Sequence, residues 1–218
     1  MNTFPIHDYQ SLIDSLNEEF RKVDSPKGNL TLDNLFAKCE ASFPPCMYRT
    51  FKSITSTNYA TFKGRFELSL FMKALGMSYY QQFEFWKAAL FKSESDKWHF
   101  ESQIVQLLKE IYGIDEAENE FSPHKCVTII NHDNPSTNRM IQGCPFACLS
   151  KADLKTFLKK MRRGVKHSDI DELAIDADKH PQEACKLFFN KKFIDLPLND
   201  IEMPPIYFNE SEKRLTGL

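Results

Sequence analysis

Apolar residues recur at helical spacing along nearly the whole chain, and glycine or proline closes one run after another. Tyr9, Leu12, Ile13, Leu16 and Phe20 make one amphipathic stripe that fades before Asp24-Ser-Pro-Lys-Gly28. Thr31 is placed to cap a helix over 32–41, which Ser42-Phe-Pro-Pro45 ends. Pro45 suits the first turn of another helix from Cys46. Leu68, Phe71, Met72 and Leu75 share one side of a helix over 64–75, with Gly76 as its stop. Ser78-Tyr-Tyr-Gln81 is a capping box that opens a helix over 79–92, and a further one over 100–112 ends at Gly113. The acidic stretch 115–120 and Ser122-Pro123 interrupt the pattern, and helices return over 154–165, 170–178 and 183–192. Cys126-Val-Thr-Ile-Ile130, short and β-branched, reads as the one strand, followed by a loop over 131–143. The tail with Pro197, Pro204 and Pro205 reads as irregular. The expected class is mainly α with minor β: a helical extension over 1–27, then one domain over 28–218 with halves of about 28–115 and 116–218.

Two hundred and eighteen residues can bury a real core, and 42% hydrophobic with 27% charged residues excludes a disordered or low-complexity chain. No uncharged apolar run approaches the roughly 18 residues of a membrane span. No basic-then-apolar secretory leader opens the sequence. The six cysteines therefore read as thiols or metal ligands of a reducing, intracellular compartment, not as disulfides. The net charge of −2 is unevenly spread. Residues 151–167 hold seven Lys or Arg against Asp153, and 46–73 hold Arg49, Lys52, Lys63, Arg65 and Lys73 against Glu67. Such segments are either a polyanion-binding surface or two solvated helix faces.

Cys46, Cys126, Cys144 and Cys185 stand 80, 18 and 41 residues apart, unlike the close pairs of a zinc ribbon or the clustered cysteines of a bacterial ferredoxin. Spacing alone leaves them as buried thiols. Their sequence contexts say more. Ser42-Phe-Pro-Pro-Cys46-Met47, then Phe62-Lys-Gly-Arg65-Phe-Glu-Leu-Ser-Leu-Phe-Met-Lys73-Ala-Leu-Gly76, Phe85-Trp86, Gly143-Cys-Pro-Phe146, Glu183-Ala-Cys185 and Tyr207-Phe-Asn-Glu-Ser211 occur in one order. Over roughly 28–217 this resembles the C-terminal iron–sulfur domain of the large subunit of archaeal and eukaryotic DNA primase, with details closer to the eukaryotic members.

The resemblance implies two helical halves joined around one [4Fe–4S] cluster, held by Cys46, Cys126, Cys144 and Cys185. Four soft thiolates from distant segments suit such a cluster and would make its binding part of folding; zinc in the same four-cysteine site is the alternative. Cys39 and Cys148 match no ligand position. The resemblance further implies a non-catalytic module that binds the template–primer junction, the primer 5′-triphosphate end or the initiating nucleoside triphosphate. Arg65 and Lys73 match the family's basic contacts, eight residues apart on one helix with Ser69 between them. Lys63 stands in for a basic pair that is Thr61 and Phe62 here, and Trp86 matches a tryptophan near the binding surface. A Tyr-rich run of the family is replaced by Ile104-Val-Gln-Leu-Leu-Lys109. Lys151, Lys155, Lys159, Arg162, Arg163 and Lys166 form a stripe opposite Leu154, Phe157, Leu158, Met161 and Val165; Lys159, Arg162 and Arg163 are its candidate nucleic-acid contacts.

By the same resemblance the partners are template DNA with its RNA or DNA primer, the small catalytic primase subunit and DNA polymerase alpha, in the nucleus and with no membrane. The extension over 1–27 is far smaller than the docking domain that family large subunits carry. No three-carboxylate polymerase site, phosphate-binding loop or nucleophilic triad stands out, so catalytic residues are expected to be none. An iron–sulfur DNA-repair protein or a redox carrier is the competing class.

Overall fold

The computed structural model describes residues 28–90, 101–114, 121–132, 141–161 and 164–217. The expected helix around Tyr9–Phe20, the acidic stretch 115–120, most of the 131–143 loop, and Arg162 and Arg163 lie outside them.

Eleven α-helices and one π-helical turn make up the regular structure of the described residues. The first group is α1 (Leu35–Ser42), α2 (Pro45–Thr57), α3 (Phe62–Ala74) and α4 (Tyr79–Leu90), then the π-turn Glu101–Val105 running into α5 (Gln106–Tyr112). The second is α6 (Cys126–Ile130), α7 (Pro145–Cys148), α8 (Lys151–Lys160), α9 (His167–Leu173) and α10 (Pro181–Lys192). Helix α11 (Pro204–Thr216) comes last in sequence but packs back on α1 and α3 of the first group, and α7 meets α2.

Several boundaries follow from local chemistry. Ser78 and Gln81 form the reciprocal capping box at the start of α4. Gly76 and Gly113 take the left-handed conformation, with φ of 87° and 67°, where α3 and α5 stop. Thr61 caps α3 by accepting the Gly64 N–H. Helix α1 begins later than expected, because Thr31 N–H is taken by the Asn34 side chain in the turn before it.

The expectation of a strand at 126–130 is corrected: these residues form α6, and no strand occurs among the described residues. A β-branched run needs a pairing partner to be a strand. Here Ile129 reaches the core while Val127 is exposed, and the Cys126 N–H is bonded to the Glu202 carbonyl. The tail is also more regular than expected. Pro204 and Pro205 occupy the first helical positions of α11, where a missing N–H costs nothing. The basic stripe is shorter than a single helix over 154–165 would make it, since α8 ends at Lys160 and Lys166 precedes α9 in extended conformation.

One continuous core runs through both groups, from Leu30 and Phe43 through Phe71 and Trp86 to Phe146, Phe188 and Phe208. Phe43 is its hub, edge-on to Phe51, Phe71 and Phe208 with centroids 5.8, 4.9 and 5.9 Å away. Outside the core, Glu212 of α11 pairs with Lys38 and Ser42 of α1. Among the described residues no helix is long and apolar enough to cross a membrane.

Candidate functional site

Cys46, Cys126, Cys144 and Cys185, far apart in sequence, line one cavity. Its other walls are mostly proline and apolar side chains, including Pro44, Ile129, Pro145, Phe146 and Pro181. Each sulfur is delivered from near the start of a helix. Cys46 is the second residue of α2, after Pro45; Cys126 opens α6; Cys144 caps α7 ahead of Pro145; Cys185 lies in the second turn of α10, which Pro181 opens. Helix N-termini carry partial positive charge and favour thiolate. At Cys144 this is direct, because the backbone N–H groups of Phe146 and Ala147 bond the sulfur.

Against that, removal from water and the neighbouring thiols push the titrations up. Burial first, then Cys144, Cys126, Cys185 and Glu67, hold Cys46 well above the ordinary thiol range. Burial and Cys144 raise Cys126 to about 12, and Cys144 rises to about 11, mainly through burial. Four thiolates here need a strong cationic partner, which is the chemistry of a thiolate metal centre. Its dimensions bear on which one. No three of the sulfurs lie within 4.8 Å of one another. A tetrahedral zinc with bonds of about 2.3 Å needs all of its sulfurs about 3.8 Å apart. A cluster of four irons and four sulfides, several ångströms across, holds its ligands further apart. The four cysteines that line the cavity are a donor set for a thiolate-bound metal centre. Cys39 and Cys148 do not line the cavity, and the Cys148 sulfur accepts from Arg49 at 3.0 Å.

The basic candidates on α3 divide by environment. Lys63 is exposed, next in the chain to the exposed ring of Phe62, and Tyr59 just before the helix is exposed as well. Arg65 is partly buried, and desolvation lowers its pKa while Tyr59 acts the other way; a guanidinium stays charged regardless. Lys73 donates to the Ile111 carbonyl at 2.6 Å and sits over the Tyr112 ring, 5.5 Å from its centroid. Ser69, expected in the groove between them, is fully buried and accepts the Trp86 indole N–H at 3.0 Å. Trp86 is itself 0% exposed, so its ring offers no face to a ligand; it is a core residue that braces α3. Gln82 extends the brace, donating to the Ser69 carbonyl and the Tyr112 hydroxyl. On α8, Lys159 and Lys155 both face Asp171 of α9, at 3.0 and 3.5 Å, and Lys151 is exposed.

Two contributors escaped the sequence reading. Thr61, at a position where the family expectation was a basic residue, links the start of α3 to Gln142, two residues before Cys144, through a 2.8 Å hydrogen bond. Glu67, on the inner side of α3, lies against His124 and His132, and burial pushes its carboxyl up to about 7. A Thr three residues before a helical glycine is a legible cap signal; the Glu67 grouping has none in sequence.

Residues 37–208 match the family described as the C-terminal domain of the large subunit of eukaryotic and archaeal DNA primase. Similar curated proteins include the DNA primase large subunit of Mus musculus, 26% identical over 95% of this chain, and that of Homo sapiens, 27% identical over 95%. A probable DNA primase large subunit of Arabidopsis thaliana is 24% identical over 94%. The alignments cover 42%, 42% and 45% of those proteins, so the chain spans less than half the length of these relatives.

Proposed function

We infer that this chain, which belongs to the family of C-terminal domains of the eukaryotic and archaeal DNA primase large subunit, is a non-catalytic module that recognises the primer end during RNA primer synthesis in DNA replication. On this reading Cys46, Cys126, Cys144 and Cys185 hold one [4Fe–4S] cluster. The single observation that carries it is the convergence of those four cysteines, from four helices, on one cavity. The cluster, when bound, supplies a four-point cross-link; the chain's residues supply the recognition.

Lys63 and Arg65 at the start of α3 form the anion-binding end, with exposed Tyr59 and Phe62 beside them as surfaces on which a base can stack. An arginine fork and a lysine point charge suit a triphosphate. Lys73, about 12 Å further along the helix, spends one donor on the Ile111 carbonyl and keeps two for phosphate. Lys151, Lys155 and Lys159 add a sequence-independent attraction for the template backbone, as would Arg162 and Arg163 from the same stripe. Nucleotidyl transfer falls to a small catalytic subunit, in a nuclear assembly with DNA polymerase alpha.

The test is an anaerobic preparation assayed for iron, sulfide and binding to a primer on an overhanging template. About four irons per chain, a broad absorption near about 400 nm and tighter binding of a 5′-triphosphate than of a 5′-hydroxyl primer are expected. One zinc per chain in place of iron, or equal binding of the two primers, would sink the reading.

A further inference from the structure

Away from the cysteine cavity, three side chains from separate segments meet. Glu67 lies midway along α3, His124 precedes α6 and His132 follows it. Glu67 Oε1 is 2.5 Å from His132 Nδ1 and 3.7 Å from His124 Nδ1, and the three atoms all lie within 4.8 Å of one another. The Glu67 side chain is 2% exposed. Its Oε1 and His124 Nδ1 are shut off from solvent, and the 2.5 Å contact with His132 is an ion pair only when that imidazole is protonated. A buried carboxylate in that position is costly unless a cation sits beside it. Lys63, one turn earlier on α3, is the basic residue whose field reaches it, but Lys63 is exposed. Phe66 packs against His124 and against Phe121, so an apolar wall closes one side.

These are the donors and the spacing of a mononuclear metal site. Two imidazoles and a carboxylate are a zinc-type ligand set, whereas calcium and magnesium take oxygen. Bonds of about 2.0–2.1 Å in a tetrahedron put ligand atoms about 3.3 Å apart, a value that the observed 2.5 and 3.7 Å bracket. We propose that Glu67, His124 and His132 form a second metal site that takes a divalent transition ion of the Zn²⁺ class, with water as the fourth ligand. Its effect is a clip. His124 is two residues before Cys126 and Glu67 two residues after Arg65, so the ion ties the segment bearing one cysteine to the helix bearing the basic residues.

The experiment uses the full chain, prepared anaerobically, freed of loosely held metal with a chelator and titrated with Zn²⁺ against a chelating indicator. Zinc-edge X-ray absorption then reads the bound ion. One tight equivalent with nitrogen and oxygen neighbours at about 2.0–2.1 Å is expected. Glu67→Gln and His132→Ala should each weaken it by more than the roughly 10–100-fold that loss of an outer partner costs. Iron content and circular dichroism should not change in Glu67→Gln, which keeps the shape of the side chain. No bound equivalent, a sulfur shell at about 2.3 Å, or unaltered affinity in Glu67→Gln would overturn the proposal. A chain without iron that still binds zinc through nitrogen and oxygen would overturn the cluster and leave this site standing.

Discussion

The hydroxyl of Thr61 does two jobs, and its removal has a calculable cost. It accepts the Gly64 N–H at 3.0 Å, capping α3, and donates to Gln142 Oε1 at 2.8 Å. Loss of a threonine cap costs about 1 kcal/mol. A buried side-chain hydrogen bond contributes a further 0.5–1.5 kcal/mol or so, and Gln142 is buried. Thr61→Ala should therefore destabilise the chain by about 2 kcal/mol. In a protein of this size that lowers Tm by about 4–8 °C. Thr61→Ser keeps the hydroxyl and should recover most of the loss. The assay is an anaerobic melt followed by circular dichroism, run as a cycle with Gln142→Ala. In the Gln142→Ala background Thr61→Ala should lose only the cap, so the two changes should cost less together than their separate losses predict, by about 1 kcal/mol. Equal melting of the Ala and Ser variants, or strict additivity in the cycle, would refute the idea that one hydroxyl fastens α3 to the loop ahead of Cys144.

Four further outcomes are expected. Cys46→Ser, Cys126→Ser, Cys144→Ser and Cys185→Ser should each lose iron and lower Tm together, while Cys39→Ser and Cys148→Ser keep the iron; iron analysis beside a melt decides it. Arg65→Ala should weaken binding of a 5′-triphosphate primer by about 1–3 kcal/mol and of a 5′-hydroxyl primer little, by fluorescence anisotropy; equal losses would remove the primer-end role. Replacing Lys151 and Lys155 with alanine should weaken all nucleic acids alike and flatten the salt dependence by roughly one unit of slope per lost phosphate contact. Phe43→Ala, at the hub of the edge-on rings, should cost about 3–5 kcal/mol, measured by denaturant titration, and a loss below about 1 kcal/mol would show that the core closes over the gap.

Helices with long apolar stripes were legible, since a period of 3.6 repeated over three turns is a strong signal. Helix α4 and its capping box, and the glycine stops of α3 and α5, lie where the pattern put them. The misreadings share one cause, which is that local pattern does not say what packs on top. Cys126–Ile130 is too short for periodicity, and its β-branched residues suggest a strand only if another strand is there to pair with it. Pro204-Pro205 reads equally as the end of order or as the opening of α11; burial of Tyr207 and Phe208 decides for the helix. Helix geometry put Arg65, Ser69 and Lys73 on one stripe, but not whether that stripe faces water. Trp86 and Gln82 cover its middle. Motif order, not spacing, singled out Cys46, Cys126, Cys144 and Cys185, which line one cavity, while Glu67, His124 and His132 belong to no motif.

The placement of the sulfurs explains why such a centre would govern stability rather than merely decorate the surface. Cys46 belongs to α2 in the first group, while Cys126 and Cys185 belong to α6 and α10 and Cys144 caps α7 in the second. Cys46 and Cys144 border the main core, Cys126 borders the smaller cluster of Phe189, Ile201 and Tyr207, and Cys185 touches both. A metal bound by all four would therefore sit on the seam between two apolar clusters, adding a cross-link where α10 packs on α6 and α7 and α7 meets α2. Helices α6 and α7, five and four residues long, are too short to persist alone. Ile129 and Phe146 anchor them in the core, and a metal on Cys126 and Cys144 would add a second anchor at their starts. A further connection between the groups is of a different kind: α11 returns to the first group through Phe43, Phe208 and the Glu212 pairs, and needs no metal. Loss of the centre would thus loosen the segments that bear Cys126, Cys144 and Cys185 more than α1 to α5 and α11, among which α3 carries Lys63, Arg65 and Lys73.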